Sequence, residues 1–162
     1  MEKTVAQVSF TPIGKVVLRG ESFLIQLEAD YTQGLAGLED FSHIQVVWWG
    51  NQYDSPETRQ ILTAESPYKG GPEKIGIFAT RSPVRPNPIL MTVAQVIRVD
   101  TEKGIIEVPF IDAEPDTPVL DIKPYHPSSD RVKEVKVPGY AEKWPKWLED
   151  SASFDWSAVF NF

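Results

Sequence analysis

Apolar residues recur along this chain in short runs with rough alternation, the pattern of half-buried β-strands rather than the wider spacing of amphipathic helices. Residues 5–10, 13–18, 23–27 and 44–49 read as strands, rich in Val, Ile, Phe and Trp. Residues 74–79, 91–99 and 104–110 continue the series, and 119–122 add a short final strand. The four residues 100–103 predict a hairpin between two of these runs. Fourteen prolines oppose long helices, because each removes a backbone donor and blocks the preceding turn. Two short helical pieces are expected, at 35–41 and at 56–62, the latter with Ser55 as cap and Pro56 in first position. Together the pattern predicts a mainly β chain, a small closed or nearly closed barrel with few short helices, since closure removes exposed strand edges.

Past residue 136 the pattern changes. Residues 137–162 hold Tyr140, Trp144, Trp147, Phe154, Trp156, Phe160 and Phe162, too much ring area to leave in water. The expected division is a barrel over 1–136 and an aromatic tail over 137–162, packed on its own barrel or on a partner subunit.

Composition narrows the chemistry. With 162 residues and 41% hydrophobic content, the chain is long enough for a real core in one domain. Cysteine is absent, which removes disulfides, thiolate nucleophiles and zinc–sulfur sites. No apolar run approaches the ~20 residues of a membrane span, and the first residues lack a signal-peptide layout, so a cytoplasmic protein is expected. The net charge of −7 opposes non-specific binding to nucleic acid, while leaving room for a local basic patch.

Most familiar catalytic motifs are missing. The two histidines, His43 and His126, are far apart and sit in no metal-ligand spacing, so no metal is expected. No nucleophile elbow, phosphate-binding loop or dinucleotide fingerprint occurs. What stands out is GIFATRSPVRPNPIL over residues 76–90. Prolines stiffen it, and an extended backbone would turn Arg81, Arg85 and Asn87 to one side, ready for a carboxylate or phosphate. The competing reading gives both arginines to surface carboxylates. A second polar cluster, DAEPDTPVLDIKPY over 112–125, is either the opposite wall of a ligand site or a solvated acidic loop.

The strings FSHI (41–44), GIFATRSPVRPNPI (76–89) and DTPVLDIKPY (116–125), in this order, resemble the TrmO/YaeB-type family. Its members are S-adenosylmethionine-dependent tRNA methyltransferases on a small β-barrel. The resemblance implies a homodimer, S-adenosyl-L-methionine as methyl donor, and methylation of N6 of threonylcarbamoyladenosine beside the anticodon. It implies cofactor contacts at Arg81, Met91, Asn51, Gln52, Asp112 and Thr117. Arg85, Asn87, Asp121, Lys123 and Tyr125 are then expected to hold the loop or the substrate. The sequence departs from the family at two glycines: Leu90 follows RPNPI, and Asp116 stands in the usual DGTP turn. A PRQ-type segment near the N-terminus and an extra C-terminal domain of larger members have no counterpart in the sequence. No residue is assigned as general base. A small-molecule acceptor, or a non-catalytic binding barrel, are the alternatives.

Overall fold

A computed structural model describes residues 8–162. It divides into two compact units. One takes in the described residues up to Tyr53 together with Pro88–Asp130, and the other combines Asp54–Asn87 with Arg131–Phe162.

Among the described residues nine strands form: β1 (Gly14–Arg19), β2 (Ser22–Leu27), β3 (His43–Trp49), β4 (Thr63–Glu65), β5 (Lys74–Gly76), β6 (Ile89–Gln95), β7 (Arg98–Asp100), β8 (Ile105–Val108) and β9 (Pro118–Pro124). The first unit is an antiparallel seven-stranded sheet ordered β6-β3-β9-β1-β2-β8-β7. Its core follows the predicted alternation. In β3, Ile44, Val46 and Trp48 are buried, while His43, Gln45, Val47 and Trp49 are half-covered on the opposite face. Val16, Ile25, Ile106, Val108 and Val119 complete a fully buried aliphatic centre. The one polar atom carried inward with Trp48 is matched, because its indole N–H donates to the Thr92 hydroxyl at 3.1 Å.

The mainly β reading holds, with only a four-residue α-helix, α1 (Pro127–Asp130), and several 3-10 turns among the described residues. Boundaries differ in informative ways. The run at 5–10 lies partly outside the described residues, and residues 8–10 form no strand. The run at 74–79 ends as a strand at Gly76, where Thr80 curls back and bonds the Ile77 carbonyl through both its N–H and its hydroxyl. The run at 91–99 breaks into β6 and β7 at Val96–Ile97, whose successive amides bond to Ser42 and Glu107 on different strand neighbours. The helix expected at 35–41 becomes two 3-10 turns, Ala29–Leu35 and Leu38–Asp40, interrupted by Gly37 in the left-handed region at φ 85°. The one expected at 56–62 shrinks to Thr58–Gln60, closed by reciprocal Ser55–Thr58 bonds.

β9 is longer than its sequence pattern predicts and lies in the middle of the sheet, between β3 and β1. A bulge interrupts its pairing with β3: Val47 faces Asp121 and Trp48 faces Val119, so Leu120 is the extra residue. Among the described residues no ladder joins the two edge strands, β6 and β7, although only two residues connect them in the chain.

The second unit is built differently. β4 and β5 pair antiparallel, and rings gather beside them. Tyr68 stacks on Tyr140 at 5.2 Å and meets Trp144 edge-on at 5.3 Å. Trp144 meets Trp156 and Phe160, and Phe160 closes the circle on Tyr68 at 5.7 Å. Backbone bonds fasten the chain end here, from Lys69 N–H to the Val159 carbonyl and from Asn161 N–H to the Pro67 carbonyl.

Candidate functional site

Three strand ends converge at one end of the sheet. β3 runs into Gly50 and then a 3-10 turn, Asn51–Tyr53. Trp49 pairs with Ile89 at the start of β6, and Trp48 pairs with Val119 near the start of β9. Asn51 and Gln52 are exposed on that turn, and Thr117 lies just before β9. Met91 shares a row with Val47 and Asp121 across β6, β3 and β9, on the face turned away from the core. Strand register thus puts Asn51, Gln52 and Thr117 at this end of the sheet, with Met91 farther in, opposite Val47.

Gly50 makes the turn possible. Its amide donates to the Pro88 carbonyl at 2.8 Å, and a Cβ there would lie 2.9 Å from Cδ1 of Leu90. Leu90 therefore occupies the space left by the missing side chain of Gly50, on the same β3–β6 corner. Leu90 stands where the family pattern has a glycine, whereas the tight approach is supplied by Gly50, just past the end of β3. An apolar strand ending in glycine was the available signal.

The second lost glycine is resolved by conformation. Asp116 takes φ 64°, the left-handed region a glycine would favour, and Asp is among the few side chains that tolerate it. Its amide donates to the Val16 carbonyl, and its carboxylate accepts from Lys15 at 2.6 Å. That pairing raises the Lys15 pKa, through the hydrogen bond first and the charge second. Thr117 is buried, its carbonyl accepting from Val16, so this turn is sewn to β1. Asp112 is exposed, between the buried Ile111 and Ala113.

Asp121, Lys123 and Tyr125 extend away from this end. Asp121 pairs with Lys123 and also accepts from the Ile122 amide. Lys123 lies opposite Gln45, and the Tyr125 amide bonds the His43 carbonyl at the far end of β3. At ~3.3 Å per residue, Tyr125 stands on the order of 25 Å along the strand from Asn51. The structure does not bring those two together. The Tyr125 ring lies edge-on to His43, whose Nδ1 is 2.9 Å from the Ser42 hydroxyl, in keeping with a structural histidine.

Arg81, Arg85 and Asn87 belong to the second unit. Their backbone bends at Pro83 and again over 85–87, so the one-sided extended arrangement does not form. Arg85 is half-buried and donates to the carbonyls of Thr80 and Ser82 at 3.3 and 3.2 Å. Ser82 N–H reaches the Thr80 hydroxyl, and Val84 N–H the Ser82 hydroxyl. Arg85 therefore braces the loop from within, and among the described residues it makes no ion pair. Arg81 and Asn87 are exposed on the same loop. No group of acidic and histidine side chains suited to a metal ion occurs among the described residues.

Residues 3–131 match the tRNA-methyltransferase O N-terminal domain family. The chain is 36% identical over 125 residues to a probable S-adenosyl-L-methionine-binding protein of Pyrococcus horikoshii, covering 76% of this chain and 86% of that one. It is 36% identical over 125 residues to the tRNA (adenine(37)-N6)-methyltransferase of Escherichia coli, covering 75% of this chain and about half, 52%, of the longer relative. The crystal structure of TrmO from P. aeruginosa superposes with a TM-score of 0.63 at 26% identity, over 83% of this chain and 62% of that one. By its match over most of its length, the chain belongs to the TrmO family, in the part that corresponds to the family's N-terminal domain.

Proposed function

We propose that this protein is an S-adenosyl-L-methionine-dependent methyltransferase that acts on tRNA, at N6 of threonylcarbamoyladenosine beside the anticodon. The observation that carries this reading is the family match over residues 3–131, joined to 36% identity with an E. coli enzyme named for adenine-37 N6 methylation. The side chains present suit the methyl donor chemically. Exposed amides at Asn51 and Gln52 can pair with a purine edge, Met91 offers an apolar, polarisable contact, and Asp112 can accept from ribose hydroxyls or an ammonium. A guanidinium at Arg81 suits the donor's carboxylate. Thr117 contributes its place in the turn beside β9.

When bound, the cofactor supplies an electrophilic methyl group on a sulfonium. The chain's own residues then have to align donor and acceptor and exclude water, which accounts for most of the advantage in an in-line displacement. Arg85, by bracing the carbonyls of Thr80 and Ser82, shapes the loop that carries Arg81 and Asn87, where Asn87 is available to an anionic or amide part of the acceptor. Asp121, Lys123 and Tyr125 lie along β9 and its exit, where an extended substrate would run. We also assign the sheet a nearly closed form, supported by the two-residue link between its edge strands, and the protein a homodimeric, cytoplasmic existence with its tRNA. A net charge of −7 favours a second reading, a small-molecule acceptor at the same site.

Mass spectrometry of tRNA nucleosides from a deletion strain separates the two. Loss of the N6-methylated nucleoside, restored by the cloned gene, is expected for the tRNA enzyme, and an unchanged profile would sink that assignment. Calorimetry should detect S-adenosylmethionine, with Arg81→Ala weakening it by roughly 10-fold or more.

A further inference from the structure

The charges are unevenly divided between the two units. The unit of 54–87 and 131–162 holds ten Lys and Arg against nine Asp and Glu, a net of +1, so the remainder of the chain carries −8 of the total −7. In the sheet unit the cations are mostly spent. Lys15, Arg98, Lys103 and Lys123 each sit in an ion pair with a nearby carboxylate. Residues 131–147, RVKEVKVPGYAEKWPKW, are the opposite case. Arg131, Lys133, Lys136, Lys143 and Lys146 are all exposed, only Glu134 and Glu142 oppose them in sequence, and none of the five makes an ion pair among the described residues.

The backbone here is equally unspent. Every residue from 131 to 139 is exposed, no strand or helix forms before Gly139, and Val132 and Val135 stand about two-thirds in solvent. Beyond it the Arg131 guanidinium lies 5.5 Å over the ring of Trp147, which is itself 59% exposed. An open row of unpaired cations with an exposed aromatic ring is the chemistry of a surface that tracks a nucleic-acid backbone. An acidic peptide would meet the same charge but offers no base to stack on the exposed ring.

We propose that residues 131–147 are a phosphate-tracking arm for the RNA substrate, starting at the last residue of the segment that matches the family domain. This rests on the tRNA reading given above. The arm solves the problem that net charge poses, since it concentrates unpaired cations in one segment, whereas most cations of the acidic sheet unit are already paired.

The test uses the full chain, E. coli tRNA that carries threonylcarbamoyladenosine, and the variant K133Q/K136Q/K143Q/K146Q, whose altered side chains are all exposed. The variant should bind tRNA roughly 10- to 100-fold more weakly at low salt, with a log–log salt slope shallower by about 3. Its affinity for S-adenosylmethionine should equal the wild type's. A control variant K15Q/K103Q, in which the lost cations were already paired, should leave tRNA affinity within about twofold. Equal affinity and slope in wild type and quadruple variant would overturn the arm, as would a wild type with no affinity for tRNA at low salt. Methylation is read apart from binding. A wild type that holds tRNA through the arm yet leaves its nucleosides unmethylated overturns the enzymatic reading and keeps the arm.

Discussion

The sheet unit and the ring-rich unit solve the same problem, removing apolar area from water, with opposite materials. In the sheet, Val16, Ile25, Ile44, Ile106 and Val119 are wholly buried, because strands satisfy their own backbone and let branched side chains interdigitate. The ring unit has one three-residue strand pair and long irregular stretches. Its backbone must stay near water, so it cannot bury many residues completely. It uses large rings that cover one another instead, Tyr68, Tyr140, Trp144, Trp156 and Phe160 at centroid distances of 5.2 to 6.1 Å. Cohesion in the sheet is therefore concentrated in few positions, and in the ring unit it is spread over many partial contacts.

Substitutions should reveal that difference in size of effect. Ile106→Ala, at the crossing of β7, β8 and β2, is expected to cost about 2–5 kcal/mol in urea denaturation. Phe162→Ala, which removes a ring stacked on Phe160 at 5.0 Å but 91% exposed, should cost about 1 kcal/mol or less. Equal costs would break the comparison.

The corner at Gly50 tests how rigid the sheet is. Gly50→Ala should destabilise by about 1–3 kcal/mol, because the new Cβ would press on Leu90 and the Pro88 side chain. Adding Leu90→Ala should recover part of that loss, a coupling a double-mutant cycle would read directly. Strict additivity would mean that Leu90 does not fill the glycine's space.

Within the ring unit the two central tryptophans differ. Trp156 donates to the Ser151 carbonyl at 3.0 Å, whereas the buried Trp144 N–H has no partner among the described residues. Trp156→Phe should cost about 1 kcal/mol more than Trp144→Phe, since only the first loses a hydrogen bond. The smallest effect is set by pH. Burial, and secondarily the neighbouring Tyr140, raise the Tyr68 pKa above the ordinary 10.0. The neutral phenol is thus favoured in the folded state, so its contribution is complete below pH 10 and is lost as pH rises through the raised value. Denaturation midpoints of the wild type should fall faster above about pH 10 than those of Tyr68→Phe.

Alternation in 13–27 and 44–49 was enough to read β1, β2 and β3, because burial on one face imposes a period of two on the sequence itself. β9 was legible only as a fragment. Prolines bound it, and Asp121 and Lys123 interrupt its outward face, so nothing local marks it as the strand between β3 and β1. At the candidate site, the string at 76–90 was conspicuous, but the fate of Arg85 was not. Which carbonyls a guanidinium reaches depends on how the loop bends, and the bends are set by Thr80 and Ser82 hydroxyls acting at short range.

The sequence by itself determined a mainly β chain, membership in a family through strings that survive without their neighbours, and a surplus of rings in the last 26 residues. Only the tertiary structure decided that the missing glycine at Asp116 is met by a left-handed aspartate, and that Leu90 packs into the space beside Gly50. It also decided which cations are spent on carboxylates and which remain open. Gly50 and Leu90, like Lys15 and Asp116, are far apart in the chain, and charge or volume at one position has no meaning until the fold supplies the other.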